Sequence, residues 1–163
     1  MTLRSAVIPF LLLLVVLTAG PLAVANAGKR RDAGRGRVHL VASKRGPILS
    51  GRNLAPGRRV AGSATITNTG TRAGSLTLTA VTKRSRLLAS RLILRVRERR
   101  RGRLRPVYAG TLAGFRRAKL GRIGPSRART FHFDVVLRST GNDNRVQGLR
   151  TIADFTWTAV QAS

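Results

Sequence analysis

The stretch FHFDVVLR, residues 131–138, decides the fold because its large apolar side chains alternate with mostly polar ones. Phe131, Phe133 and Leu137 belong to one phase of the alternation, and His132 belongs to the other. A period of two places one face of a strand on a core and the other in water, as antiparallel sheets do. The stretch therefore predicts an amphipathic β-strand.

The same alternation recurs along the chain, and turn signals separate the runs. The further runs are residues 38–42, 60–67, 76–82, 91–97 and 152–160. The turn signals are Pro56-Gly57, Asn68-Thr69-Gly70, Gly102, Gly124-Pro125 and Gly141-Asn142-Asp143. Six or more short strands with this spacing predict an all-β protein, an antiparallel β-sandwich. Short helical turns are expected at residues 112–117 and 144–149.

The N-terminus has the pattern of a secretory signal peptide. One basic residue, Arg4, precedes an apolar run at residues 6–19, which is shorter than the ~20 residues that span a bilayer. Ala25 and Ala27 form a small-x-small cleavage site before Gly28. The pattern favours a cleaved leader over a membrane anchor, and it predicts a secreted or cell-surface protein.

Three segments follow from this pattern and from composition. We expect a signal peptide at residues 1–27, a basic flexible linker at residues 28–37 and a single β-sandwich domain at residues 38–163. The sequence contains no cysteine, so neither a disulfide nor a thiolate metal site is available to it.

Charge is the most unusual property of the sequence. It has 32 lysines and arginines against five aspartates and glutamates, and its formal net charge is +27. Such a chain is expected to bind anionic cell-envelope polymers or extracellular DNA non-specifically and with strong salt dependence. Two alternatives stay open: the arginines are solvated strand faces, or they reflect compositional drift.

The candidate polyanion-binding residues fall into two clusters. The first leads along one strand face, through Arg91, Arg95 and Arg97, to a hairpin end, and the second follows Phe115. The candidates are Arg91, Arg95, Arg97, Arg99, Arg100, Arg101, Arg103, Arg116, Arg117 and Lys119. Aromatic side chains that could stack on bases are almost absent near them, so sequence-specific recognition of nucleic acid is not expected.

The residues needed for common catalytic sites are missing from the sequence. Only two histidines exist, His39 and His132, and neither has a glutamate at helical spacing. No serine lies in a glycine elbow, and no Walker-type loop is present. We therefore expect no catalytic residue, no metal ligand and no cofactor, and we interpret His132 and Asp134 as neighbours on one solvent-facing sheet surface.

Several motifs resemble those of the camelysin and TasA-type secreted proteins. They are NLAPG at residues 53–57, TNTGT at 67–71, DNRVQGL at 143–149 and DFTWTA at 154–159. The resemblance implies a jelly-roll-like β-sandwich at the cell surface, in a spore coat or in a biofilm matrix, where TasA-type members form fibres. Some members are described as metallo-endopeptidases. The residues that the resemblance marks as structural are Asn53, Pro56, Gly57, Asn68, Gln147, Gly148, Phe155 and Trp157.

We interpret the chain as a secreted, non-enzymatic structural protein whose arginine faces bind polyanions and whose subunits self-associate into filaments. Residues 38–43 are a candidate strand for donation to the next subunit; alternatively, they pair within their own domain. Two other functions stay open, a secreted metallo-endopeptidase of the camelysin type and a monomeric polyanion-binding module.

Overall fold

The strand predicted at residues 131–138 lies in the middle of a five-stranded sheet that packs against a second sheet. This arrangement comes from a computed structural model, which describes residues 14–19, 23–24, 36–43, 46–51, 54–139 and 143–161. Three residues of the predicted cleavage site, Ala25, Ala27 and Gly28, lie outside the described residues, as does Asn53. The predicted fold class, an all-β, jelly-roll-like sandwich with short helical turns, is confirmed.

Eleven strands and three short helices make up the described part of the chain. In chain order they are β1 (Leu14–Ala19), β2 (Ala23–Val24), β3 (Leu40–Ala42), β4 (Pro47–Gly51), β5 (Arg59–Asn68), β6 (Gly74–Arg84), α1 (Arg86–Arg91), β7 (Leu92–Arg100), β8 (Arg103–Thr111), a 3-10 helix (Leu112–Gly114), β9 (Arg117–Ile123), β10 (Arg127–Leu137), a second 3-10 helix (Asp143–Val146) and β11 (Arg150–Gln161). Both 3-10 helices fall where the sequence predicts helical turns.

The strands form two sheets. Sheet A has the order β4-β1-β11-β6-β9, and β2 pairs with β11 beside this path. Sheet B has the order β3-β5-β10-β7-β8. The pairing is antiparallel throughout, except that β1 and β2 run parallel to β11. In sheet B, β7 and β8 form a hairpin, but β10 pairs with both β5 and β7, which are far from it in the sequence.

The core lies between the inward faces of β10 and β11. Phe133 packs against Phe155 with ring centroids 5.0 Å apart, and against Trp157 at 6.2 Å. All three side chains are fully buried. Burying one large apolar side chain contributes roughly 1.5–3 kcal/mol. Phe155 and Trp157, which the resemblance marks as structural residues, thus belong to the core.

Two of the predicted turns have the backbone geometry that glycine makes available. Gly57 follows Pro56 in a turn with φ of 78°. Arg101 and Gly102, with φ of 49° and 77°, form the two-residue connection between β7 and β8. Positive φ at both central residues is the type I′ pattern that matches the twist of a β-hairpin. Gly148, in the C-terminal motif, also has positive φ.

Asn68 joins three separate segments of the sandwich and is completely buried. Its Oδ1 accepts hydrogen bonds from the backbone amides of His39 (3.2 Å) and Gly70 (3.0 Å). Its Nδ2 donates to the carbonyls of Arg72 (2.7 Å) and Gly124 (3.1 Å). A side chain of this kind satisfies partly buried loop groups that have no partner in a sheet. Asn68 is therefore a structural residue, and Gln147, which is exposed, donates only a local bond to Asn144.

The helix α1 is not among the predicted elements. Ser85 caps it by accepting a hydrogen bond from the amide of Leu88, and Leu88 and Ala89 are buried. Six residues are too few to show a helical period in the sequence. Among the described residues, no helix is long and apolar enough to cross a membrane.

Two strands lie within the predicted signal peptide. Backbone pairing places β1 between β11 and β4, with Val16 opposite Ile152 on one side and Ser50 on the other. The removal of residues 1–27 stays a prediction, and such removal would leave β11 and β4 without their shared neighbour. The run at residues 38–43 contributes β3, which pairs with β5 of the same chain, as the alternative to strand donation predicts.

Candidate functional site: an arginine cleft

A cleft of about 930 Å³ opens at the end of the sandwich where the β7–β8 hairpin meets β9 and the start of β10. We call it the arginine cleft. Eight arginines and one acidic residue contribute to its lining, which gives a formal charge of +7 (eight minus one). The charged lining residues are Glu98, Arg99, Arg100, Arg101, Arg103, Arg105, Arg122, Arg127 and Arg129.

A buried ion pair joins the neighbouring strands β7 and β10 of sheet B in the lining of this cleft. Arg129 donates from Nε to Glu98 Oε1 at 2.6 Å and from Nη2 to Glu98 Oε2 at 2.7 Å, and both side chains are more than nine-tenths buried. The same Nη2 donates to the carbonyl of Leu120 at 2.7 Å. Since Arg129 belongs to sheet B and Leu120 to sheet A, one guanidinium bridges the sandwich. The pair positions the end of the hairpin over β9.

Glu98 also accepts a hydrogen bond from Arg100 Nε at 2.9 Å. Burial by itself would raise the pKa of Glu98, but the hydrogen bonds and charges of Arg129 and Arg100 outweigh it and hold the pKa below its usual 4.5. Glu98 therefore stays ionised at neutral pH. The other six cleft arginines have no acidic partner among the described residues, and all six are exposed. Their charge is available to a ligand.

A row of arginines on the outer face of sheet B leads into the cleft. Arg95, Arg97 and Arg99 occupy alternate positions of β7, opposite in phase to its buried residues. Arg97 forms an ion pair with the buried carboxylate of Asp134. Arg99 belongs both to this row and to the cleft lining. The row and the cleft are therefore one continuous basic surface.

His132 and Asp134 share this outer face, as the sequence predicts, but their described partners are arginines. Arg99 Nε lies 3.4 Å from His132 Nε2, and Asp134 pairs with Arg97 and, at 4.0 Å, with Arg59. Within the described ranges, no three histidine, cysteine, aspartate or glutamate side chains come together as a group that could hold a metal ion.

The structure brings together four of the ten predicted polyanion-binding residues in the cleft, namely Arg99, Arg100, Arg101 and Arg103. Arg117 and Lys119 lie on the outer face of sheet A, opposite Thr79 and Thr77. Arg95 and Arg97 belong to the row on β7 that leads into the cleft, whereas Arg91 and Arg116 lie elsewhere. Arg116 lines a groove of about 230 Å³ with Arg84 and Arg86.

The prediction that Arg91 lies on the same strand face as Arg95 and Arg97 is wrong. Arg91 is the last residue of α1, because the chain leaves the helix only at Leu92.

Four cleft residues were missed by the sequence analysis: Arg105, Arg122, Arg127 and Arg129. A signal exists for one of them, since Arg129 occupies the apolar phase of the FHFDVVL strand, where an arginine needs a buried partner.

The chain matches no protein-family model and no curated protein. The solved structure described as "AvmM Catalyzes Macrocyclization in Alchivemycin A Biosynthesis" is similar over 77% of this chain and 89% of its own, with a TM-score of 0.39 and 11% sequence identity. A similarity this distant does not indicate a function for the chain, which has to be inferred from its own residues. The resemblance to camelysin and TasA-type proteins stays a prediction.

Proposed function

We propose that this protein is a non-enzymatic polyanion-binding protein of the cell surface or extracellular matrix, and that the arginine cleft is its binding site. The observation that carries the proposal is the convergence of eight arginines and a single, already paired glutamate on one concave surface. Secretion and self-association into filaments belong to the same proposal and are supported by the N-terminal pattern and the motif resemblance.

Concavity matters because it changes the strength of the field. A cleft lined by charges of one sign, with protein of low dielectric constant around it, focuses its potential on an entering ion. Guanidinium groups match the oxygens of phosphates and carboxylates through paired N–H donors. The exposed cleft arginines thus combine electrostatic attraction with directional hydrogen bonding.

The arginine cleft also opposes folding when nothing is bound. Like charges that converge in one place repel one another, and only Glu98 offsets them within the cleft. A polyanion that binds the folded state alone removes this repulsion and stabilises the fold by mass action. Binding and stability should therefore change together, and a thermal shift provides a second measure of binding.

The test uses inorganic polyphosphate and two triple variants of equal charge. The cleft triple is Arg101→Gln/Arg103→Gln/Arg122→Gln, and the control triple is Arg86→Gln/Arg117→Gln/Lys119→Gln. The cleft triple should weaken binding strongly and reduce the slope of log affinity against log salt by about 2, at roughly 0.7 per phosphate contact. If both triples weaken binding equally, net charge alone explains it and the cleft is not the site.

A further inference from the structure

We infer that the ligand of the arginine cleft is an extended, flexible single phosphodiester chain that also lies along β7, over Arg95 and Arg97, before it enters the cleft. The inference rests on the proposed function and adds to it the class of polymer and its path. Phosphates of the chain, and not its other groups, are what the surface contacts.

The path follows from the spacing of the row on β7. Alternate residues of a strand lie about 6.7 Å apart, so Arg95, Arg97 and Arg99 extend over about 13 Å in a line. The pairing of β7 with β10 has no register shift across these residues, so the three side chains stay on one face, and the shift between Val96 and Arg97 lies in the pairing with β8. A stretched phosphodiester chain presents its charges at comparable intervals. Arg95 and Arg99 can then each face a phosphate of one chain, while Arg97, which is paired with Asp134, lies between them.

The path then turns at the end of the sandwich. Arg99 belongs to sheet B, whereas Arg122, on the far side of the cleft, belongs to β9 of sheet A. Packed sheets are separated by about 10 Å, so the surface passes from one face to the sandwich end within a short distance. Duplex DNA is stiff over about 150 base pairs and cannot follow such a turn. A single chain can.

The side chains beside the row favour contacts with phosphates over contacts with bases. Ser63, Thr65, Thr130 and His132 lie on this face of sheet B, level with the arginines. The described phenylalanines and the single tryptophan are buried in the core. Bases are usually held on exposed aromatic rings, whereas hydroxyls and arginines contact phosphate oxygens. The chain is therefore recognised without regard to base identity.

The experiment compares three probes of equal phosphate number: an abasic phosphodiester oligomer, oligo(dT) and duplex DNA. Binding is measured for the full chain, for Arg95→Glu and for Arg117→Glu, an equal charge change on the opposite sheet. Both arginines are exposed. The abasic oligomer and oligo(dT) should bind alike and more tightly than the duplex. Arg95→Glu should weaken both single chains by about tenfold, and Arg117→Glu by about twofold.

Duplex binding as tight as that of the single chains would overturn the inference. So would an Arg95→Glu effect no larger than that of Arg117→Glu. In either case, polyphosphate binding that still depends on the cleft triple would leave the proposed function standing. Loss of that dependence is a separate result, and it would remove the proposed function together with the inference.

Discussion

Replacing Glu98 by glutamine should lower stability and raise affinity for polyanions at the same time. Among the described residues that line the arginine cleft, Glu98 is the only acidic one, and it is also the buried partner of Arg129. The substitution keeps the size and one hydrogen-bond acceptor of the side chain but removes its charge. If the ion pair were purely structural, the substitution would lower stability without raising the affinity for polyanions.

The loss of stability can be estimated from burial. Removing one member of a buried ion pair typically costs 3–5 kcal/mol, and the retained acceptor places Glu98→Gln at the lower end, about 3 kcal/mol. For a domain of this size that corresponds to a fall in Tm of roughly 10 °C. A matched control is Asp154→Asn, since Asp154 pairs with the exposed Lys83 on sheet A. Surface pairs of that kind contribute about 0–1 kcal/mol.

The stability difference should depend on pH in one direction. Folding lowers the pKa of Glu98, so its contribution is fully present above the unfolded value of 4.5 and is lost as pH falls through the folded pKa. Thermal unfolding of the original chain and of Glu98→Gln should therefore differ most at neutral pH and converge below pH 4.5. A difference that is constant from neutral to acid pH would refute the role of the carboxylate.

The affinity change is the functional half of the prediction. In Glu98→Gln the formal charge of the cleft rises from +7 to +8, and Arg100 loses its ionic partner. Binding of polyphosphate should tighten severalfold, and its salt slope should steepen by up to about 0.7. Asp154→Asn raises the net charge of the chain by the same amount, but it should leave the polyphosphate affinity and the salt slope nearly unchanged. Equal effects of the two variants would mean that the cleft does not concentrate the binding energy.

Four other predictions concern the loops, the N-terminus and enzymatic activity. Asn68→Ala should destabilise the chain by about 3 kcal/mol in urea unfolding, because it removes four hydrogen bonds between a fully buried side chain and partly buried backbone groups. An effect below about 1 kcal/mol would contradict its role as a junction. Mass spectrometry of exported protein should show a chain beginning at Gly28, and intact residues 1–13 on that material would contradict the processing. A chain lacking residues 1–27 should then self-associate in salt or polyphosphate more than the full chain, because the edge of β11 opens; light scattering that shows both as monomers would favour the monomeric binding module. Homogeneous protein should not cleave casein in a chelator-sensitive way, and cleavage lost in His39→Ala or His132→Ala would establish the metallopeptidase alternative.

Periodicity predicted the sandwich because each buried strand carries its own signal. The alternation in β10 and β11 is strong since one face of each strand packs on aromatic side chains of the other sheet. The edge strand β8 is exposed or half-buried throughout, so its sequence has no apolar phase to detect. For the same reason the sequence predicts Arg103 only as part of a hairpin end and gives no signal for Arg105, two positions further along the strand.

The cleft could be predicted only in part because its members come from strands that are not consecutive. The cluster around Gly102 is local, and the sequence placed it correctly at the end of a hairpin. Arg129 and Arg122 reach the same place because β10 pairs with β7 while β9 joins the opposite sheet. That pairing skips β8 and β9, and no spacing in the sequence specifies it. One feature of the sequence does point to the contact between Glu98 and Arg129. Each of them occupies a position that alternates in step with the buried apolar residues of its strand.

The placement of Arg129 also bears on whether the arginines are compositional drift. Compositional drift adds arginine at exposed positions, where arginine and lysine side chains are equally well tolerated. Arg129 is instead buried, its guanidinium carbon lies 5.6 Å from the centroid of Phe131, and it bonds to both oxygens of Glu98 and to a carbonyl of the other sheet. A lysine ammonium has no planar fork for such bidentate pairing. Composition can thus account for how many arginines are exposed, but the shape of the cleft depends on one arginine that composition does not explain.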